Sequence, residues 1–218
     1  MKRYRVPAKG KLNLKAYDPD ETGDYKKTDQ GKDKAKADTA KLIARLAGLQ
    51  ERLYANATRS LLIVLQGMDT SGKDGTIRSV MSGINPQGCN VVAFKAPSKD
   101  ELARDFLWRV HREVPPKGHI GIFNRSHYED VLVTRVHGWV SDAVARQRFK
   151  QIKEFEELLH ENGTVILKFF LHISKAEQKE RLEARIADPE KRWKWNSGDL
   201  EERRYWDKYM QAFEDVLS

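Results

Sequence analysis

Residues 61–74 read Leu61-Leu62-Ile63-Val64-Leu65-Gln66-Gly67-Met68-Asp69-Thr70-Ser71-Gly72-Lys73-Asp74. Five consecutive apolar residues suit a strand buried on both faces. The glycine-bounded stretch after them matches G-x-x-x-x-G-K, and a helical pattern over 73–82 follows, the strand–loop–helix context that a phosphate-binding loop requires. Glycine lets backbone N–H groups turn inward onto phosphate oxygens, and the next helix presents its positive end to them. Gly67, Met68, Thr70, Ser71 and Gly72 are therefore candidate phosphate-binding residues, and Lys73 adds a point charge for the terminal phosphates. The bland alternative is a glycine-rich turn with a solvated lysine. Position 74 departs from the usual pattern, in which Ser or Thr gives a hydroxyl to Mg²⁺. Here it is Asp74, and a second acid, Asp69, lies inside the loop. Carboxylates beside phosphates repel them unless a cation intervenes, and Mg²⁺ prefers oxygen ligands. Asp69 is thus the candidate Mg²⁺ ligand. Asp74 reads equally well as a first-turn acid favoured by the helix dipole.

Working outward, strands alternate with helices. Apolar runs predict strands over 91–94, 120–123 and 164–171. Helical spacing predicts helices over 34–57, 98–111, 142–162 and 174–187, and a last one from Ser197 or Asp199 to the C-terminus. Ser98 with Glu101, and Ser174 with Glu177, have capping-box spacing. The alternation implies an α/β fold: a parallel sheet with helices on both faces, whose ligands bind at the carboxyl ends of the strands. Residues 1–38, polar and rich in turn formers, read as an N-terminal arm. Residues 39–218 read as one domain built around the phosphate loop.

The third strand runs into Asn124-Arg125-Ser126-His127-Tyr128-Glu129-Asp130. Asn124 stands where a metal-binding acid of such folds emerges, which reduces its role to hydrogen bonding or a water-mediated contact. Arg125 is suited to clamp a phosphoryl group bidentately. Glu129 and Asp130 read as nucleotide-site acids or as ordinary helix-start acids. Ser126 and His127 are adjacent, which does not by itself make a catalytic pair, and no G-x-S-x-G elbow is present, so a serine hydrolase is disfavoured. Downstream, Arg181 and Arg185 lie one helical turn apart, with Arg192 beyond them. They suit a closing lid over about 174–198, with a solvated, salt-bridged helix as the alternative.

Composition narrows the partners. With 40 Lys and Arg against 32 Asp and Glu, the chain of 218 residues carries a net charge of +8, which favours an anionic partner. One cysteine excludes an internal disulfide and a Cys-based zinc site, and points to a reducing, cytoplasmic setting. No apolar run approaches the roughly 18 residues of a membrane span, and no secretory signal follows the basic N-terminus.

The strings GMDTSGKDGTIRSV and IGIFNRSHYEDVL, with the lid ending at Asp188-Pro189-Glu190-Lys191-Arg192-Trp193-Lys194-Trp195, make the chain similar to the polyphosphate kinase 2 family from about residue 10 onward. The resemblance implies a three-layer P-loop kinase fold with a helical lid, and phosphoryl transfer between inorganic polyphosphate and nucleotides. It also implies Mg²⁺ and assembly as a homo-tetramer or dimer. The family's first nucleotide motif falls on Gly67, Asp69, Gly72 and Lys73. Its Asp-Arg pair falls on Asn124 and Arg125, so the acid is absent here. Glu129-Asp130 resembles the branch that accepts both AMP and ADP. The lid arginines fall on Arg181 and Arg185, and less directly on Arg192. Family members normally continue past the position of Asp215.

The nearest rival is an ATP-dependent nucleoside monophosphate kinase, which a comparison of donors separates. A P-loop switch is disfavoured because Asn196-Ser197-Gly198-Asp199 lacks the lysine of N-K-x-D. A nucleic-acid binder would line a basic groove with aromatics, whereas Trp193, Trp195 and Trp206 are expected in the lid base and core.

Overall fold

The computed structural model describes residues 2–7, 10–190, 192–194 and 198–218. The order of elements is α1 Asp29–Asn56, β1 Ser60–Gln66, α2 Lys73–Val80, β2 Cys89–Ala93, α3 Lys99–Leu102, α4 Trp108–His111, β3 Ile120–Asn124, α5 Glu129–Val136, α6 Asp142–Glu161, β4 Thr164–Phe170, α7 Lys175–Ala187, α8 Gly198–Glu202 and α9 Trp206–Leu217. These residues fall into two compact units. One is drawn from 20–126 and 154–171, the other from 1–19, 127–153 and 172–218.

The first unit holds the sheet, in the order β2-β3-β1-β4. All its pairings are parallel, and Leu65 of β1 lies opposite Asn124 of β3. As the apolar run predicts, β1 is buried on both faces. Leu62 and Val64 pack with Phe94, Val110, Phe123, Phe155 and Leu159. Ile63 and Leu65 pack on the opposite face with Ile84, Ile120 and Ile122, joined by Leu46 and Leu53 of α1 and Ile77 and Met81. Each such side chain contributes on the order of 1.5–3 kcal/mol by leaving water, and together they fix the carboxyl edge of β1 as the platform for the loop that follows.

The helices differ from the sequence reading where local side chains compete with the pattern. Helix α1 starts at Asp29, ahead of position 34, because the Thr28 side chain accepts from Gly31 N–H and caps it there. The expected helix over 98–111 is two short helices. The Asp105 carboxylate accepts from Leu107 N–H at 3.0 Å, a local turn that interrupts the first and sets up the second. The capping box at Ser98 and Glu101 is present in both directions. The Ser98 N–H donated to Glu101 holds that carboxyl below its ordinary range. At α7, Ser174 caps Glu177 N–H, but the Glu177 carboxylate accepts from Arg181 Nε at 2.6 Å instead of completing a box.

In the second unit α9 packs on α5. Arg135 joins Asp215 at 2.6 Å and Asp142 at 2.9 Å, and these hydrogen-bonded carboxylates raise its pKa. Part of the expected arm is built into this unit. Leu12 and Leu14 are buried, and their N–H groups donate to Ser218 Oγ and Glu214 Oε1. The C-terminal helix is broken by a 3₁₀ turn over Arg203–Tyr205. Ser197, expected as a cap, lies outside the described residues, as do Asn196, Trp195 and Lys191. Trp206 is buried, as expected for the core, whereas Trp193 is 77% exposed.

Candidate phosphate-binding site

The loop between β1 and α2 is shaped by its backbone. Gly67 has φ +146°, and a Cβ there would lie 2.7 Å from Ser71 Oγ and 2.9 Å from Leu171 O. Gly72 has φ +101°. Among the described residues the non-glycine positions with positive φ are Ala57, Thr70 and Arg125. Thr70 and Arg125 both belong to the candidate site, and unfavourable backbone held in place by its surroundings concentrates at functional sites. Gly72, at the N-cap of α2, supplies no side-chain hydrogen bond, so the first N–H groups of that helix point at the loop without a side-chain cap, the arrangement that binds anions.

Lys73 is 8% exposed. Its ammonium donates to Gly67 O at 2.7 Å, Met68 O at 3.0 Å and Ser71 Oγ at 3.3 Å. The lysine is therefore held inside the loop it serves, which overturns the solvated-lysine alternative. Two contacts bring β3 to the loop. Arg125 Nη2 pairs with Asp69 Oδ1 at 2.5 Å, and Asn124 Nδ2 donates to Asp74 Oδ1 at 2.7 Å. Both follow from register: Leu65 lies opposite Asn124, so the residues after β1 and those ending β3 emerge side by side. Asp69, Asp74, Asn124, Arg125 and Lys73 thus form one constellation at the carboxyl edge, and Asp74 engages a side chain beyond its own helix.

Among the described residues no three His, Cys, Asp or Glu side chains converge as a metal cage. Asp69 is partly exposed and already accepts from a cation. That donor set fits Mg²⁺ bound through one or two carboxylates, phosphate oxygens and water, and does not fit a cation held by protein alone.

The remaining candidates lie in the other unit. Glu129 and Asp130 form the first turn of α5, and Asp130 Oδ1 lies 3.8 Å from Arg148. On α7, Arg181 pairs with Glu177 at 2.6 Å and Arg185 with Asp199 at 3.4 Å. Arg192 donates to Ile186 O at 3.2 Å. Ser126 and His127 are each 1% exposed, which suits packing and not a surface nucleophile. One residue escaped the sequence reading: Gln66, the last of β1, is 2% exposed. Its signal was a polar side chain directly after the five apolar residues Leu61 to Leu65.

The family model for polyphosphate kinase 2 matches residues 29–218. An AMP/ADP-polyphosphate phosphotransferase of Meiothermus ruber is 54% identical over 217 residues, covering 100% of this chain and 80% of the relative. An ADP-polyphosphate phosphotransferase of Rhodopseudomonas palustris is 52% identical over 188 residues, covering 81% of this chain and 65% of the relative. Among solved structures, polyphosphate kinase 2 from Arthrobacter aurescens superposes with a TM-score of 0.89 at 45% identity, covering 98% of this chain and 75% of that one.

Proposed function

The chain belongs to the polyphosphate kinase 2 family, and we propose that it transfers phosphoryl groups between inorganic polyphosphate and AMP or ADP. The observation that carries the reading is the loop constellation: a buried lysine inside a glycine-shaped phosphate cradle, with Arg125 brought onto the same loop through Asp69.

The acceptor is a phosphate whose second pKa is about 6, so at neutral pH it is largely ionised and needs no general base. The protein's task is positioning and neutralising a metaphosphate-like transition state. Lys73 places a fixed positive charge inside the loop at the start of α2. Arg125, held on the loop by Asp69, has the planar donor pair that suits an equatorial phosphoryl oxygen. Asn124 holds Asp74 at the start of α2, and Asp69 is the residue that would hold Mg²⁺. Bound there, Mg²⁺ would neutralise phosphate charge. Arg181, Arg185 and Arg192 are proposed for phosphate contact on the family resemblance, and Glu129 and Asp130 for the nucleotide. We also place the protein in the cytoplasm, as a homo-oligomer. Among the described residues no helix is long and apolar enough to cross a membrane.

The test is a comparison of donors. With AMP and Mg²⁺, long-chain polyphosphate should yield ADP and then ATP, while ATP as sole donor should convert AMP to ADP far more slowly. Faster conversion with ATP than with polyphosphate would make the protein a nucleoside monophosphate kinase instead.

A further inference from the structure

From Leu61 to Leu65 strand β1 is apolar on both faces, and its buried polar residues are the two at its ends, Ser60, which donates to Thr164 Oγ1, and Gln66. Leu62 and Val64 lie in the cluster with Phe94, Phe123 and Phe155. Ile63 and Leu65 lie in the cluster that takes Ile77 of α2. Gln66 continues the first series, because side chains alternate along a strand. Its carboxamide therefore leaves the sheet on the face opposite α2, at the carboxyl edge, one residue before Gly67. By register its neighbours are Phe170 of β4 and Arg125, which follows Asn124 of β3.

The main-chain oxygen of Gln66 accepts from Leu171 N–H at 2.9 Å. The side chain is different. Gln66 is 2% exposed, and neither Oε1 nor Nε2 has a hydrogen-bond partner among the described residues. A buried carboxamide in that state destabilises the fold, because both ends have given up water for nothing. Leu or Met would fill the same space without that cost. The position borders the phosphate loop and lies beside a residue with φ +64°, Arg125. A polar group there is placed at the edge where an anionic ligand would arrive.

We propose that Gln66 is a substrate-contacting residue whose Nε2 donates to a phosphoryl oxygen at the carboxyl edge of the sheet. This inference rests on the reading given under Proposed function. The phosphoryl group belongs either to the nucleotide or to polyphosphate, and because both amide atoms are buried, the contact requires the adjoining loop segments to shift on loading. A neutral amide suits the task. It donates to an ionised phosphate without adding charge, whereas an acid would repel the phosphate, and no base is needed there.

The test compares wild type, Gln66→Met and Gln66→Glu by thermal unfolding and by kinetics with AMP, ADP and polyphosphate varied in turn. Gln66→Met should raise KM for one of the two substrate classes roughly tenfold, the scale of one hydrogen bond to a charged group, with melting at or above the wild-type temperature. The substrate affected identifies the carrier of the phosphoryl group. Gln66→Glu should add a fall in turnover with rising pH that wild type lacks, as a buried carboxyl with a raised pKa ionises beside phosphate. A Gln66→Met protein that melts lower and keeps both KM values within twofold would show a structural amide and overturn the proposal, as would an equal rise in both. Calorimetric titration with ADP and with tripolyphosphate reads the same contact without turnover. Were wild type inactive with polyphosphate, weakened binding in Gln66→Met would sustain the contact while the reading of the reaction failed.

Discussion

At the residue scale, the Arg125–Asp69 pair is the most informative contact in the site, because each partner has a second use. Asp69 is the carboxylate that suits a cation, and Arg125 the guanidinium that suits a phosphate. Cation and phosphate each take one half of the pair, so freeing Asp69 favours the cation. Arg125→Gln should tighten Mn²⁺ binding in the absence of phosphate, by roughly two- to fivefold for a pair this exposed. Electron paramagnetic resonance of free Mn²⁺ reads it. Unchanged or weaker binding would remove Asp69 from the cation site. Glu129 makes a second prediction. An acid among phosphates is unfavourable unless a cation or ordered water neutralises it, and AMP brings one phosphate fewer than ADP. Glu129→Asn should therefore lower turnover with AMP more than with ADP at saturating polyphosphate. Equal losses would assign Glu129 a general structural role. Residue types and spacing were enough to nominate Lys73, Asp69 and Arg125. They could not reveal the partners, because Arg125 meets Asp69 across 56 positions through strand register alone. For Gln66 the sequence offers only its polarity after an apolar run; that both amide atoms are buried without a partner is a property of the folded sheet edge.

At the element scale, the β1–loop–α2 unit was legible because each part carries a strong local signal: an apolar run, two glycines, then helix spacing. The region over 98–111 was less so. Its apolar spacing favours one helix, and the Asp105 side chain breaks it by hydrogen bonding to the backbone two residues on, a competition that periodicity does not register. Helix α7 was legible as a helix with paired charges. The capping-box spacing predicts the Glu177 carboxylate on the backbone, whereas the structure pairs it with Arg181. The glycines of the unit differ in what they do, which makes a paired prediction. Gly67→Ala places a Cβ against Ser71 Oγ and Leu171 O at a φ that side chains avoid. It should destabilise the protein by about 2 kcal/mol or more. Gly75→Ala, inside α2, meets nothing within 4 Å and should stabilise by up to about 1 kcal/mol. Urea unfolding of both variants checks the contrast, and similar effects would mean that the loop conformation is not the constraint described.

At the scale of the whole molecule, the net charge of +8 is larger than a mononucleotide requires and suits a long polyanion. Polyphosphate binding should weaken linearly in log–log terms as salt rises, with a slope well above that for AMP, because many counterions are released. KM values measured across a salt series separate the two, and equal slopes would argue against an extended basic surface. The parallel topology and the buried two-faced strand were readable from composition and alternation. The division into two units was not, because Leu12 and Leu14, in a segment that reads as a polar arm, are tied by hydrogen bonds to residues 218 and 214. The activity that matters most is movement of phosphate from polyphosphate to a nucleotide in the Lys73 cradle. Phosphorus NMR of wild type and Lys73→Ala with AMP, long-chain polyphosphate and Mg²⁺ tests this directly. The prediction is ADP and then ATP resonances growing in wild type, and growth slower by roughly 10²–10³-fold in a folded Lys73→Ala protein. No ADP or ATP from wild type, or equal rates in the folded variant, would contradict it.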